Sequence, residues 1–254
     1  RNILLTISYD GSGFYGWQRQ DRADGGKPLR TVQGVFEAAL ETVHKTAVPL
    51  AGSGRTDSGV HAAGQVANFH SPIDSIPVAN YVSALNNLLP RDIRIHAAKE
   101  VADGFHARFD AVSRTYRYVI CCGATPFAYE APYVWAIRRY PSLAVLNSMS
   151  ACLQGELDFT TFTAAGDLSR SKSRYIEHAV FYPDGNKLVF EIRANAFLWK
   201  MVRSLVGSML HAEGEGRDAA FFQAALEAKD RFRAGPTAPP QGLFLWQVHF
   251  AGVR

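Results

Sequence analysis

The chain has 254 residues, 47% of them hydrophobic and 20% charged, a composition that folds around a core and excludes intrinsic disorder. At roughly 150 residues per domain the length fits one large domain or two small ones, and either buries enough surface to need no disulfide or metal staple. Twenty-seven Lys and Arg stand against 23 Asp and Glu, a net charge of +4, which is compatible with a polyanionic partner without establishing one.

In chain order, Ile3, Leu5, Ile7 and Tyr9 alternate with Leu4, Thr6 and Ser8, the period of a strand. A turn follows at Asp10-Gly11-Ser12-Gly13. Thr31 reads as a helix N-cap, and Val32, Val35, Phe36, Ala39, Leu40 and Val43 recur at the spacing of one helical face. A loop from Ala51 to Ala62 leads to a strand at Gln65–His70, a helix at Val78–Leu89 stopped by Pro90, and a short strand at Ile93–Ala97. Further on, Tyr116, Tyr118 and Ile120 alternate with Arg117 and Val119, and a helix fits Ala144–Leu153. Strands at Ile176–Tyr182 and Lys187–Arg193 are joined by a hairpin turn at Pro183-Asp184-Gly185-Asn186. Leu198, Met201, Val202, Leu205, Val206 and Met209 form a helical core stripe. A last helix fits Ala219–Lys229, and in a last strand Phe244, Trp246, Val248 and Phe250 share a face. This order predicts an α+β fold of two related domains, residues 1–104 and 105–254, each a mostly antiparallel sheet with helices on one face. The free sheet faces are expected to meet at a central cleft.

No apolar run approaches the ~18 residues of a membrane helix. Arg1 to Gln20 carries Asp10, Arg19 and several glycines and is no secretory signal; the absence of an initiator Met leads us to expect a short leader ahead of Arg1. The three Cys, two of them adjacent at Cys121 and Cys122, give neither a disulfide framework nor a zinc set, and the eight His have no metal-ligand spacing. The expectation is a reducing, cytoplasmic setting with no metal.

Three segments hold residues of chemical interest. The first, Gly52-Ser53-Gly54-Arg55-Thr56-Asp57-Ser58-Gly59-Val60-His61-Ala62, is a glycine-rich loop around one Arg and one Asp. Its glycines permit positive φ and close approach of a ligand, and its carboxylate is of the kind that attacks an electrophilic carbon in glycosidases. The plain alternative is an Asp that caps a turn. The loop lacks the Gly-Lys-Ser/Thr end of a phosphate loop. In the second, Arg114-Thr115-Tyr116-Arg117-Tyr118, an aromatic beside arginines suits stacking on a base and contact with phosphate, although Tyr also packs well on any strand. In the third, Asn195 to Arg203, Arg203 flanks the buried stripe, from where it can reach a carboxylate with its stem packed or stand as a plain surface charge.

Taken together these segments resemble the tRNA pseudouridine synthase A (TruA) family. The likeness rests on Gly54 to Ala62, Tyr9-Asp10-Gly11 through Gly16-Trp17-Gln18, Thr31 to Gly34, Phe105 to Phe109, Arg114 to Tyr118, Phe197-Leu198 with Met201-Val202-Arg203, and Gly242 to Leu245. It departs from the family at Arg22–Leu29, which is longer and richer in Gly. The resemblance implies an isomerase that converts uridine to pseudouridine in the tRNA anticodon stem-loop, at positions 38 to 40, with no cofactor or metal, and a homodimer of two-domain subunits with an RNA-binding cleft. It makes Asp57 the catalytic aspartate, Tyr116 the active-site tyrosine, Arg203 the partner of the aspartate, and Arg55 the arginine that helps extrude the base. His61 and Arg114 join Arg55 and Tyr116 as expected RNA contacts.

Two other readings compete. A non-catalytic RNA-binding or tRNA-folding protein on the same scaffold is opposed by the presence together of Asp57, Tyr116 and Arg203, since binding a polyanion needs no such carboxylate. A nucleosidase or retaining glycosidase needs two carboxylates about 5–5.5 Å apart, and the loop offers one.

Overall fold

The structure, a computed structural model, describes residues 1–20 and 28–251. Of the Arg22–Leu29 segment, all but Pro28 and Leu29 lies outside the described residues. The fold is mixed, with mostly antiparallel strands and, among the described residues, five α-helices. Its contacts divide the chain into two compact units, Arg1–Val112 with Phe244–Arg254, and Ser113–Leu243.

The first unit opens with β1 (Asn2–Tyr9), whose Ile3, Leu5 and Ile7 are fully buried. A single 3-10 turn, Gly11–Gly13, follows, and Asp10 caps it by accepting the N–H of Ser12. Helix α1 (Val32–His44) starts at Thr31, whose hydroxyl accepts the N–H of Gly34, and stops where Lys45 turns left-handed at φ 59°. Its buried face is Val32, Phe36, Ala39, Leu40 and His44; Val35 and Val43 flank it, half-buried. The chain continues through β2 (Ala51–Gly52), β3 (His61–His70), α2 (Asn80–Leu88) and β4 (Ile93–Val101). β1 pairs antiparallel with β3 on one side and β4 on the other. Behind the sheet, the His44 ring, the Ser71 hydroxyl and the Tyr81 phenol close a buried hydrogen-bonded triangle of 2.7–3.2 Å that ties α1 to α2. A polar cluster so deep is tolerated because each member is paired.

The second unit begins on β5 (Ala111–Cys122), alongside which β6 (Trp135–Ile137) runs parallel. Helix α3 (Leu143–Ala151), capped by Ser142, leads to β7 (Gly155–Asp158), β8 (Ser173–Asp184) and β9 (Lys187–Ala194). β5, β9, β8 and β7 lie in that order, antiparallel throughout. The β8–β9 hairpin turns at Gly185, φ 59°, the positive value a two-residue turn requires. Helices α4 (Met201–Gly214) and α5 (Ala219–Glu227) complete the unit. Phe162 stacks on Phe222 and Phe181 packs on Phe190 in its core. Strand β10 (Leu243–Phe250) then returns to the first unit and pairs parallel with β3, Phe244 opposite His61.

The elements differ from the sequence reading in several ways: β3 starts at His61, within the expected loop, and β4 runs on to Val101. The helix expected from Leu198 begins at Met201, because Lys200 stands in left-handed backbone at φ 59°; Leu198 is buried all the same. β2, β6 and β7 were not expected, being too short to show a period. In β10 the most buried residues are Leu243 and Leu245, while Trp246 is 38% exposed.

Candidate active site

Asp57 lies on the loop between β2 and β3, and the segment Tyr9–Trp17 is the bed on which that loop rests. The Tyr9 phenol meets the Thr56 hydroxyl at 2.7 Å. The N–H of Trp17 donates to the Thr56 carbonyl at 3.1 Å, and the hydroxyl of Ser58 donates to the Phe14 carbonyl at 3.2 Å. Two glycines allow this closeness. A Cβ on Gly11 would stand 2.0 Å from the Val60 carbonyl oxygen, and one on Gly16 would stand 2.6 Å from that of Thr56; Gly16 also has φ +85°. From the other side, buried Gln65 accepts from the Ser53 hydroxyl at 2.6 Å and donates to the Gly54 carbonyl at 2.9 Å. The loop closes on itself where the N–H of Val60 reaches the Asp57 carbonyl at 3.1 Å. The result is a backbone fixed around Asp57, whose side chain is half-buried, and Arg55, which is exposed.

His61 closes the loop. It is 1% exposed, its ring stacks on Phe244 at 4.8 Å, and its Nδ1 accepts the N–H of Gly11 at 3.0 Å, with Asp10 Oδ1 at 3.2 Å. Arg55, Asp57 and His61 are thus brought together on one stretch of the first unit.

In the second unit, Tyr116 is 8% exposed and meets Phe197 edge-on, with ring centroids 4.9 Å apart. Arg114, on the same strand, donates to the carbonyl of Asn195 at 2.9 Å. Arg203 lies in the first turn of α4 and is half-buried. Its Nε donates to the Ala238 carbonyl at 2.8 Å, and the N–H of Ala238 donates back to the Arg203 carbonyl at 3.0 Å. The guanidinium is thereby oriented through one of its five N–H groups. The Pro-rich segment that does this is itself pinned. A Cβ on Gly207 would stand 1.9 Å from the Pro236 carbonyl oxygen, and the Tyr118 phenol donates to the Pro239 carbonyl at 2.7 Å. Burial pushes the Tyr118 pKa well up, against the pull of the Arg203 charge, so the phenol stays a donor. Tyr118 is fully buried and follows the packing reading of its alternation. Arg114 and Tyr116 both contact the Asn195–Arg203 stretch, at Asn195 and Phe197, and Arg203 is its last residue.

Sequence reasoning did not find the supporting residues. Tyr9, Gly11 and Gly16 stood out as a strand end, a turn and a block shared with the family, but not as the support of the Asp57 loop. Ala238 and Pro239 act through their carbonyls, which any residue carries. Among the described residues no helix is long and apolar enough to cross a membrane, and no three His, Cys, Asp or Glu side chains gather to hold a metal ion.

With this geometry in hand, comparison with known proteins is specific. A family model described as tRNA pseudouridine synthase matches residues 5–110 and 149–251, which include Asp57 and Arg203. A curated relative from Treponema denticola, tRNA pseudouridine synthase A, is 58% identical over 98% of this chain and 93% of its own length. Proteins of the same name from Treponema pallidum (strain Nichols) and Brachyspira hyodysenteriae are 50% and 39% identical, covering 93% and 98% of this chain and 84% and 98% of their own. A chain in a crystal structure of a Cbf5-Nop10-Gar1 complex aligns with 82% of this chain and 53% of its own at 11% identity and a TM-score of 0.35, too slight a likeness to carry weight. The chain belongs to the tRNA pseudouridine synthase A family.

Proposed function

We propose that this chain is an isomerase of tRNA that turns uridine into pseudouridine in the anticodon stem-loop, at positions 38 to 40, with Asp57 as the reacting carboxylate. The observation that carries this reading is the loop of Asp57: it lies within the matched family segment, and its backbone is fixed from both sides by side chains and glycines of the same unit. Such a loop holds a carboxylate in place before substrate arrives, which lowers the reorganisation needed for reaction.

The reaction breaks the C1′–N1 bond, turns the uracil, joins C1′ to C5 and then removes the C5 proton to solvent, while N1 takes up a proton. Three routes suit a carboxylate: attack on C1′, attack on C6, or stabilisation of positive charge while a glycal forms. In this reading Arg203 pairs with Asp57, its Nε already held by Ala238. Tyr116 stacks on the detached uracil. A stem base has to leave the helix first, at a cost of a few kcal/mol; Arg55, exposed beside Asp57, fills the gap it leaves. Arg114 contacts the RNA, and His61, turned inward on Phe244, serves by holding the loop. With this activity go a cytoplasmic location, a homodimer and an RNA-binding cleft.

The test is tritium release from tRNA labelled at uridine C5, for wild type and Asp57→Ala. Wild type is expected to release tritium. Asp57→Ala is expected to release none while binding tRNA within about tenfold of wild type, because it removes a reacting group and not a phosphate contact. Near-normal release by Asp57→Ala would remove that residue from the chemistry. Salt-sensitive binding with no release by wild type would favour the non-catalytic RNA-binding reading.

A further inference from the structure

Asp167 lies in the second unit, on the stretch between the 3-10 turn Thr160–Phe162 and β8. Its side chain is 6% exposed and both of its oxygens are occupied. Oδ2 accepts the N–H of Trp199 at 2.8 Å. Oδ1 accepts the N–H of Ser169 at 2.9 Å and the Lys172 ammonium at 2.5 Å. The Trp199 peptide is also held from its other end, where its carbonyl accepts the N–H of Ala164 at 3.0 Å and the Thr163 hydroxyl at 3.4 Å. Its ring lies against Gly166, where a Cβ would come within 2.9 Å of it.

This clamp falls where the chain enters α4. The next residue, Lys200, has φ 59° and gives the helix no side-chain cap. A non-glycine residue in that region carries a cost that its surroundings offset, and the clamp on Trp199 lies directly before it. Two residues before Trp199, Phe197 meets Tyr116 edge-on. Four residues after it, Arg203 begins the contact with Ala238. We infer that Asp167 is a positioning residue for the isomerisation, fixing the entry to α4 and through it the places of Phe197, beside Tyr116, and of Arg203. This rests on the reading of Tyr116 and Arg203 as catalytic groups.

The chemistry calls for a carboxylate. Asparagine has the same shape but one acceptor oxygen. Its NH2 would face either the Trp199 N–H or the Ser169 N–H with the Lys172 ammonium, donor against donor.

Tritium release by the full chain tests this for Asp167→Asn, Arg203→Lys and the double variant, each with its thermal midpoint and single-turnover rate. Asp167→Asn is expected to lower kcat about tenfold while KM for tRNA stays within about twofold. In the Arg203→Lys background the same change is expected to cost less than about twofold, because one variant has already undone what the other disturbs. Where Asp167→Asn does not fold, Asp167→Glu replaces it. It keeps both acceptors one methylene further out and is expected to lower kcat about threefold in the wild-type background only. A folded Asp167→Asn with a lower thermal midpoint but wild-type kcat overturns the inference, since the clamp would then serve stability alone. A loss of kcat that is fully additive with Arg203→Lys overturns it too. Wild-type kcat in Arg203→Lys overturns the reading of Arg203 and this inference with it; an impaired Arg203→Lys beside an unimpaired Asp167→Asn overturns the inference alone.

Discussion

Asp57 is framed by contacts to backbone atoms of its neighbours, so its loop is sensitive to changes that touch no charged group. Gly16 is the sharpest case. Alanine there would meet both a left-handed backbone and the Thr56 carbonyl at 2.6 Å, and a carbonyl in a packed loop has little room to yield. Gly16→Ala is expected to destabilise the fold by about 1–3 kcal/mol. Urea unfolding measures that loss. Turnover is expected to fall further than tRNA affinity, because the loop moves while the phosphate contacts stay; equal losses in both would mean that the bed of the loop also binds RNA.

Element by element, legibility followed local signal. α1 could be read because its apolar spacing and its cap at Thr31 agree, and the structure shows that hydroxyl on the N–H of Gly34. Thr31→Ala is accordingly expected to cost about 1 kcal/mol, read as a shift of the urea midpoint with an unchanged slope. The β8–β9 hairpin was legible from its turn residues for the same reason. The start of α4 was not, because the apolar stripe runs on through Leu198 while a lysine breaks the helix at a position that sequence favours no more than its neighbours. The loop of Asp57 was legible because glycine and aspartate together are unusual; its bed was not, because Tyr9, Gly11 and Gly16 owe their role to a fold that brings residues 9–17 onto residues 56–60. Nor does β10 say, in its own residues, that it pairs with β3.

Across the whole molecule, several carboxyls share one electrostatic condition. Asp167 is held well below the usual carboxylate range: burial works against this, but its bonds from Lys172, Trp199 and Ser169 prevail. Asp158 and Glu191 are lowered in the same manner, against burial, Asp158 by Thr160 and Lys229 and Glu191 by Arg117 and His178. Glu213 is lowered chiefly by its bond from Arg139. Groups with depressed folded-state values contribute stability that is fully present above their unfolded values, near ~4, and is lost as pH falls through the folded ones. The urea midpoint is therefore expected to hold from neutral pH to about pH 5 and to drop steadily below about pH 4. Asp167→Asn should flatten that drop, and an unchanged slope in the variant would remove Asp167 as a contributor.

The return of β10 to β3 also sets an order of events during synthesis. Residues 113–243 form a continuous compact unit that can close as soon as it leaves the ribosome. The first unit leaves earlier but waits for its last strand, for roughly 7–26 s at ordinary elongation rates. Throughout that interval the start of β3 lacks Phe244 on the ring of His61, and His61 is the residue that fastens Gly11 beneath the loop. The carboxylate loop at the N-terminal end of β3 is thus expected to be among the last parts of the protein to be finished, after the second unit has already closed.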